Sequence, residues 1–269
     1  MTKLIAFDLD DTLLREDLSI SPYSVEVFSR LRDRGMEIVP ASGRARMSMQ
    51  PFVDQIRCVS WFIACNGAEI WDARRSTLLC QETFPAELGR EIAAFGERYQ
   101  VYAQTYEGSC FYYNEPSFWA KRYAVSSRLT GVQVGPLSEY IREPRHKILM
   151  MAEEDKIREM LQEAREQFDG RVSVTCSKPY FLEFNPIRAT KGIALRTLAD
   201  HLKIRMEDTL AFGDSLNDLS MLQAAGRSVA VANAWEEIRS RCDDVCGSNQ
   251  EDGVARYLEE HFLSGEANR

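Results

Sequence analysis

The sequence lacks several features that would place it in common classes of protein. No uninterrupted apolar stretch is long enough to span a bilayer, and the apolar run before Asp8 is too short for the core of a signal peptide. Basic residues are in the minority, with 33 Lys and Arg against 41 Asp and Glu and a net charge of −8. A dedicated nucleic-acid binder needs a basic face, so we expect neither a nucleic-acid nor a membrane partner.

Cysteine and histidine patterns that are typical of metal sites are also missing. The seven cysteines are odd in number, no two of them form a CxxC pair, and the three histidines show no ligand spacing. We therefore expect reduced thiols in a cytoplasmic protein, rather than a zinc site or a disulfide framework. A P-loop nucleotide enzyme is disfavoured as well, because no glycine-rich loop ending in Gly-Lys-Ser or Gly-Lys-Thr occurs.

Strand and helix patterns alternate at both ends of the chain. A helix is predicted to begin at Ser21-Pro22, and another at Thr190, because Ser and Thr are good N-caps and Pro is favoured in the first turn. Further helices are expected at 216–224, 235–241 and 254–262. Short apolar runs predict strands at 3–8, 37–39, 61–64, 209–212 and 228–232. Strands joined through helices in this way favour a parallel sheet.

The middle of the chain has a different pattern. Helices are predicted at 87–99, 117–129 and 155–168, interleaved with five short strands at 101–106, 110–113, 147–152, 171–176 and 180–184. Consecutive strands indicate a mixed or antiparallel sheet. We therefore predict a core domain made of residues 1–83 and 186–269, with a second α/β domain, residues 84–185, inserted into it.

Acidic and polar residues follow the predicted strands of the core. Asp8 and Asp10 follow the first strand, Ser42 and Gly43 the second, and Asp214 a later one, with Asn217 and Asp218 just beyond. Ligands of open α/β sheets bind outside the carboxyl ends of the strands. Asp and Asn are also common in ordinary turns, but carboxylates gathered in one place favour a hard cation such as Mg²⁺.

Lys191 strengthens this interpretation. With Thr190 as the N-cap, Lys191 lies in the first turn of a helix, where a cation opposes the helix dipole at a cost of about 0.3–1 kcal/mol. A solvated lysine tolerates that cost. The functional alternative is a cation that is directed at a phosphate or that neutralises the acidic cluster.

Four segments together resemble the ordered motifs of the haloacid dehalogenase superfamily. They are FDLDDTLL (7–14), ASGR (41–44), Lys191-Gly192 and GDSLND (213–218). The insertion between the second and third motifs, and Asn66-Gly67-Ala68, resemble the Cof-type phosphatases of that superfamily. Ser42 stands where Thr is commoner and Asp11 where Gly is commoner, but each keeps the needed hydroxyl or turn.

This resemblance implies a fold and an activity. The fold would be α/β, with a Rossmann-like parallel-sheet core and an α/β cap inserted between the second and third motifs. The chain would be an enzyme, a phosphoric monoester hydrolase that depends on Mg²⁺. It would act on small phosphorylated metabolites, for example sugar phosphates, through an aspartyl-phosphate intermediate.

The resemblance also implies a role for each motif residue. Asp8 would be the nucleophile, and Asp10 the general acid and then the general base. Mg²⁺ would be held by the Asp8 side chain, the Asp10 backbone carbonyl and Asp214, with Asp218 supporting the ligands from behind. The phosphoryl oxygens would be held by Ser42, the backbone N–H groups of Leu9 and Gly43, Lys191 and Asn217.

Three other activities would use a related site. A dehalogenase shares the nucleophile but has no need for an acid at Asp10. A non-enzymatic phosphoacceptor also uses acidic strand ends, Mg²⁺ and a lysine, but has no use for an inserted cap. A phosphomutase with the same core and a similar cap is the closer alternative.

Several weaker features are left open by the sequence. Asn66-Gly67 is typical of a tight turn. The aromatic residues between Phe111 and Tyr123 are expected to form cap core more readily than a substrate platform. Arg44 and Arg46 are close enough to the motifs to reach a substrate, though surface arginines are common. Glu183, near the return from cap to core, is a candidate for contacting the leaving group.

Overall fold

The computed structural model describes residues 2–264, so Met1 and residues 265–269 of the predicted core lie outside the described residues. The strands are β1 (Leu4–Phe7), β2 (Glu37–Pro40), β3 (Trp61–Ala64), β4 (Glu69–Asp72), β5 (Thr77–Gln81), β6 (Tyr102–Glu107), β7 (Cys110–Tyr113), β8 (Thr130–Gln133), β9 (Ile148–Met151), β10 (Val172–Thr175), β11 (Phe181–Pro186), β12 (Thr209–Gly213), β13 (Arg227–Val231) and β14 (Asp244–Cys246). The helices are α1 (Pro22–Asp33), α2 (Arg46–Ile56), α3 (Ala86–Arg98), α4 (Phe118–Ser127), α5 (Leu137–Tyr140), α6 (Glu154–Gln167), α7 (Lys191–Leu202), α8 (Leu219–Ala224), α9 (Glu236–Arg239) and α10 (Gly253–Phe262).

A parallel sheet forms the core, with strand order β14-β13-β12-β1-β2. All four residues of central β1 are buried, and Phe7 pairs with Phe212 on one side and Pro40 on the other. Every neighbouring pair in this sheet is parallel, so the carboxyl ends of the strands lie at one edge. The predicted α/β class with a parallel core is confirmed.

The third predicted strand does not belong to this sheet. β3 begins a separate antiparallel sheet of order β3-β4-β5, and a single parallel bridge between Ala41 and Ile63 connects it to the end of β2. The expectation that the 61–64 strand continues the parallel sheet was therefore wrong. The turn after β3 returns the chain at once, so an antiparallel partner forms before any helical crossover is possible.

The inserted region forms its own six-stranded sheet, in the order β10-β11-β9-β6-β7-β8. Its pairs are antiparallel except β7 with β8, so the predicted mixed sheet is confirmed. The five predicted strands are all present, and β8 is a sixth that the sequence pattern did not predict. The division of the chain at residues 84 and 186 stays a prediction.

The two faces of this cap sheet have different partners. Phe184 on β11 packs against Phe95 of α3 and against Phe168 next to α6, with ring centroids 6.0 and 5.6 Å apart. Because side chains alternate along a strand, Leu149 of β9 and Glu183 of β11 project from the opposite face. That face lines a cavity above the carboxyl edge of the core sheet.

The predicted helix starts are confirmed at both ends of the core. Ser21 Oγ accepts a hydrogen bond from Ser24 N at 2.9 Å before α1, and Pro22 is the first residue of that helix. Thr190 Oγ1 accepts one from Ile193 N at 3.2 Å before α7. Lys191 is therefore the first residue of α7, as predicted.

Among residues 2–264, the helices are all too short or too polar to cross a bilayer.

Candidate active site

The candidate site lies where three strands of the core sheet end. Asp8 follows β1, Ser42 lies just beyond β2 and Asp214 follows β12. Parallel strands present their carboxyl ends at one edge, which is where ligands of this sheet type bind. Lys191, at the start of α7, reaches the same edge and donates a hydrogen bond to Asp8.

Three carboxylates and one ammonium form the centre of the site. Asp8, Asp214 and Asp218 each place one carboxylate oxygen within 4.8 Å of the others. Lys191 Nζ lies 2.5 Å from Asp8 Oδ1 and 2.5 Å from Asp218 Oδ1. All four side chains are buried, so one positive charge faces three acidic groups away from water.

Burial and the neighbouring charges shift the pKa of these groups. Burial raises the pKa of Asp8 to about 8, although the charge of Lys191 opposes this, and the charges of Asp218 and Asp10 add to it. Burial and the charges of Asp218 and Asp8 raise the pKa of Asp214 well above its ordinary range. Burial alone would lower the pKa of Lys191, but the carboxylates of Asp218 and Asp8 raise it.

Asp218 supports the cluster from behind. Its Oδ2 accepts hydrogen bonds from the backbone N–H groups of Asp214 at 3.0 Å and Ser215 at 3.2 Å, while Oδ1 accepts from Lys191. Thr12 donates its hydroxyl to Asp214 Oδ1 at 2.6 Å. Both oxygens of Asp218 are therefore engaged within the protein, and Asp214 is held from two sides.

The remaining oxygens suit a hard cation. Oδ2 of Asp8 and Oδ2 of Asp214 form no hydrogen bond with any residue in the described part of the chain. These are carboxylate donors in a buried cluster whose acidic groups outnumber its one lysine. Oxygen ligands of this kind are those that divalent cations such as Mg²⁺ and Ca²⁺ take in proteins.

Asp10 lies beside the cluster, held by Arg44. Arg44 Nε lies 2.7 Å from Asp10 Oδ2 and Arg44 Nη2 lies 2.7 Å from Asp10 Oδ1, a two-point ion pair. Burial alone would raise the pKa of Asp10, but the charge and hydrogen bonds of Arg44 lower it, with Lys178 adding to the effect. Arg44 Nη1 also donates to the backbone carbonyl of Ser126 in α4, at 2.8 Å.

Asn66 connects the loop after β2 to the rest of the site. Its Oδ1 accepts from Asn217 Nδ2 at 3.0 Å, and its Nδ2 donates to Glu183 Oε2 at 2.8 Å. A Cβ on Gly43 would lie 2.8 Å from Asn66 Oδ1, and a Cβ on Gly67 would lie 2.3 Å from the backbone oxygen of Thr190. Glycine at 43 and 67 is therefore what lets this loop, Asn66 and α7 pack together.

A cavity of about 250 Å³ opens above these groups, between the core and the cap. Asp8, Asp10, Ser42, Gly43 and Asn217 line its lower part. Cap residues line its upper part, among them Trp119, Arg122, Tyr123, Lys147, Tyr180 and Glu183.

The structure brings the residues predicted from the sequence into one neighbourhood. Asp8, Asp10, Ser42 and Asn217 line the cavity. Asp8 also contacts Lys191 and lies in the same carboxylate cluster as Asp214 and Asp218. Leu9, between Asp8 and Asp10 in the chain, is fully buried. Arg44 and Glu183 also line the cavity, whereas Arg46 stacks on Trp71 at 4.1 Å. The roles given to these residues stay predictions.

Sequence reasoning missed three residues of the site. Asn66 lies in the predicted tight turn, with positive φ at Cys65 and Asn66, but the turn pattern does not show that the Asn66 amide joins core to cap. Thr12 was part of a quoted motif without a role. Lys147 was included in a strand, although a lysine at the start of the apolar run 148–151 is the kind of buried polar residue that signals a site.

The aromatic residues of the cap divide between the two predicted locations. Phe111 is buried in the hydrophobic core, as expected. Trp119 and Tyr123 line the cavity, and Trp119 stacks on Tyr180 with ring centroids 5.5 Å apart. The aromatic cluster is therefore both cap core and part of the cavity wall.

Comparison with known proteins identifies the family. The haloacid dehalogenase-like hydrolase family matches residues 5–258. The chain belongs to this family, and the predicted superfamily, Cof-type resemblance and enzyme class, a phosphoric monoester hydrolase, are confirmed.

Individual relatives resemble the chain over almost its whole length. The 5-amino-6-(5-phospho-D-ribitylamino)uracil phosphatase YcsE of Bacillus subtilis is 30% identical, covering 97% of this chain and 96% of that protein. The pyridoxal phosphate phosphatase YbhA of Escherichia coli is 27% identical, covering 97% and 99%. A haloacid dehalogenase-like hydrolase of Bacteroides thetaiotaomicron has a solved structure with a TM-score of 0.85, 27% identity and coverage of 97% and 100%.

Proposed function

We propose that this enzyme is a Mg²⁺-dependent phosphatase of small phosphorylated metabolites that works through an aspartyl-phosphate on Asp8. One observation carries the proposal. Asp8 lines the floor of the cavity, and Lys191 Nζ lies 2.5 Å from its Oδ1, while Oδ2 forms no hydrogen bond with a residue among 2–264. A fixed carboxylate on the wall of a substrate-sized cavity is suited to nucleophilic attack.

The reaction has two steps at phosphorus. In the first, the Asp8 carboxylate attacks the phosphoryl group, the bond from phosphorus to the ester oxygen breaks, and protonated Asp10 gives its proton to the departing alcohol. In the second, Asp10 takes a proton from water, the water oxygen attacks phosphorus of the aspartyl-phosphate, the bond from phosphorus to the Asp8 oxygen breaks, and inorganic phosphate leaves. Both carboxyl groups return to their starting state.

The donor set fits Mg²⁺. The Asp8 and Asp214 side chains and the Asp10 backbone carbonyl would hold the ion, and Asp218 would fix the segment that carries Asp214. When bound, Mg²⁺ would neutralise charge on the phosphoryl oxygens and keep the acidic groups ionised. Burial and neighbouring carboxylates raise the pKa of Asp8 and of Asp214, so a bound cation would favour the ionised form of both groups.

The phosphoryl group would lie between the loop after β2 and α7. Ser42, Lys191 and Asn217 would contact its oxygens, together with the backbone N–H groups of Leu9 and Gly43. Phosphoryl transfer depends mainly on positioning and on neutralising charge, and these groups supply donors and a cation. Asn66 holds the Asn217 amide in place from the other side.

The substrate class follows from the cavity and the relatives. Cap residues line the upper part of this cavity of about 250 Å³, which suits a small leaving group rather than a macromolecule. The relatives named above are phosphatases of pyridoxal phosphate and of a phosphorylated ribitylaminouracil. We infer that this chain also acts on a small phosphorylated metabolite, with residues 84–185 as the specificity domain.

A cytoplasmic location is part of the same proposal. All seven cysteines are free thiols, which supports a reducing compartment.

A phosphate-release screen over a panel of phosphomonoesters tests the function. We expect hydrolysis of several small esters with Mg²⁺, loss of release with a chelator and recovery when Mg²⁺ is restored. Following positional isomers of a phosphorylated sugar separates hydrolysis from mutase activity. Release of phosphate in excess chelator, or no release from any ester, would contradict the proposal.

A further inference from the structure

Lys147 and Glu183 form a buried ion pair inside the cavity. Lys147 Nζ lies 2.7 Å from Glu183 Oε1, and both side chains are only 2% exposed. Both residues belong to the cap, and both line the same cavity as Asp8. A fully buried charge pair is a poor source of stability, because desolvation offsets much of the attraction. Its place on the cavity wall therefore calls for a functional reason.

Each partner keeps hydrogen-bonding capacity after its protein contacts are counted. An ammonium has three N–H donors, and the described residues supply Lys147 with two acceptors, Glu183 Oε1 and the Gly43 backbone oxygen at 2.8 Å. Glu183 accepts from Lys147 and Ser177 on Oε1 and from Asn66 on Oε2. A carboxylate accepts about four hydrogen bonds, so one donor and one acceptor remain.

We propose that Lys147 and Glu183 recognise a hydroxyl group on the leaving alcohol of the substrate. This inference rests on the proposed phosphatase function and narrows its substrate class to esters of polyols and other hydroxyl-bearing alcohols. A hydroxyl accepts from Lys147 and donates to Glu183, so one neutral group satisfies both partners. It adds no charge to a pair that is already balanced.

An anionic group fits this pair less well. It would accept from Lys147 but face the Glu183 carboxylate, and like charges repel strongly in a buried site. An apolar group would leave the free donor and acceptor unpaired. The pair is therefore complementary to a hydroxyl rather than to a second phosphate or an alkyl chain.

The pair is connected to the reacting end of the cavity. Lys147 contacts the backbone of Gly43, which adjoins Ser42, and Glu183 contacts Asn66, which holds Asn217. A leaving group bound by Lys147 and Glu183 is thus held in a fixed position relative to the residues assigned to the phosphoryl group. Lys147 and Glu183 set specificity through contact with the leaving group and take no part in bond breaking.

Two esters of equal chain length test the inference in the unmodified enzyme. Glycerol 3-phosphate and n-propyl phosphate differ by two hydroxyl groups. Hydrogen bonds to charged groups predict a kcat/KM about 10- to 100-fold higher for glycerol 3-phosphate. Equal kcat/KM values, or a preference for propyl phosphate, would overturn the inference, whatever happens to any variant.

A double variant, Lys147→Met with Glu183→Gln, assigns the preference to the pair. Changing both residues avoids leaving one buried charge alone. The readout is the ratio of the two kcat/KM values, which we expect to fall close to one. A uniform loss of activity leaves the ratio unchanged, so an unchanged ratio would mean that the pair only holds the cap, and would overturn the inference.

The matched control removes an exposed ion pair from the same cap. Arg98→Met with Glu163→Gln deletes a contact of 2.9 Å between half-exposed side chains away from the cavity. This control should keep the wild-type ratio of the two kcat/KM values. A fall in that ratio as large as in the Lys147 and Glu183 double variant would contradict the role given to Lys147 and Glu183. Failure of the wild-type enzyme to hydrolyse even a nitrophenyl phosphate would refute the phosphatase function itself, and the inference with it.

Discussion

Asp10 and Arg44 face each other in a two-point ion pair, with both nitrogen–oxygen distances at 2.7 Å. The pair lowers the pKa of Asp10, so the resting enzyme holds a carboxylate at this position. That form suits the second step of the proposed reaction, in which Asp10 takes a proton from water. To deliver a proton in the first step, Asp10 must first take one up from solvent, which requires the pair with Arg44 to loosen. Because Arg44 also binds the Ser126 carbonyl, this side chain connects Asp10 to the cap.

Asp10→Asn should slow the enzyme in a manner that depends on the leaving group. An alkyl phosphate needs a proton on its departing oxygen, so its first step should fall by about 10²–10⁴-fold. A nitrophenyl phosphate leaves without that help, so its first step should survive better. Water attack would still lack its base, and a rapid-quench experiment with Mg²⁺ should show a burst followed by slow turnover. Equal losses of the first-step rate for both esters, with no trapped intermediate, would mean that Asp10 only binds the metal or supports the structure.

The metal-free enzyme should lose stability as pH rises. The pKa of Asp8 is 3.8 in an unfolded chain and about 8 in the folded one, so between these values the folded state binds the extra proton. Unfolding then becomes easier with rising pH, and the raised pKa of Asp214 acts in the same direction. Thermal melts in chelator should show a lower Tm at pH 8 than at pH 5.

Mg²⁺ and Asp8→Asn provide the controls for this pH dependence. Added Mg²⁺ should raise the Tm most at pH 8, because a ligand that binds only the folded state stabilises it. Asp8→Asn removes one of the titrating groups and should flatten the slope. A Tm in chelator that rises between pH 5 and pH 8 would contradict the charge arrangement described for the cluster.

Lys191→Met should damage both stability and activity. The variant leaves two buried carboxylates, Asp8 and Asp218, without their ammonium partner. Breaking a buried pair in this way costs about 3–5 kcal/mol, which urea unfolding measures directly. The control is Lys156→Met, which removes an exposed i,i+3 pair with Glu159 and should cost less than about 0.5 kcal/mol. Similar losses for the two variants would show that Lys191 is not the counter-ion of the cluster.

Asp218→Asn should weaken metal binding more than it weakens the fold. An amide keeps one acceptor for the backbone N–H groups of Asp214 and Ser215 but loses the charge that pairs with Lys191. Residues that orient metal ligands typically contribute about 10- to 100-fold in metal affinity or activity. The Mg²⁺ concentration for half-maximal activity, and for half-maximal thermal stabilisation, should rise accordingly. An unchanged Mg²⁺ requirement would show that Asp218 does not contribute to metal binding.

Much of the fold was predictable because its elements are buried and strongly patterned. β1 has four apolar residues followed by Asp8, and α7 begins after a Thr cap. β8 was missed because all four of its residues, TGVQ, are exposed, so burial imposes no pattern on them. The antiparallel return of β4 was missed because β4, EIWD, has only two apolar residues between acidic ones, so no recognisable strand follows the turn at Asn66-Gly67.

The site residues that belong to local sequence motifs were predictable. Those that join the site through contacts between distant parts of the chain were not. Asp8, Asp10, Asp214 and Lys191 stand next to strand ends or helix starts, so local patterns point to them. Lys147 meets Glu183 across 36 positions of the chain, and Asn66 meets Asn217 across 151. The strand order of the sheets and the turns between their strands bring such residues together, and no local pattern encodes that arrangement.

The stereochemical course at phosphorus tests the central claim most directly. An ester with a chiral, isotopically labelled phosphoryl group would be hydrolysed, or its phosphoryl group transferred to an added alcohol, with Mg²⁺ present. Two successive in-line displacements, first by Asp8 and then by water or alcohol, each invert phosphorus, so the account predicts overall retention of configuration. Overall inversion would mean that water attacks the substrate in a single step, and would contradict an aspartyl-phosphate on Asp8.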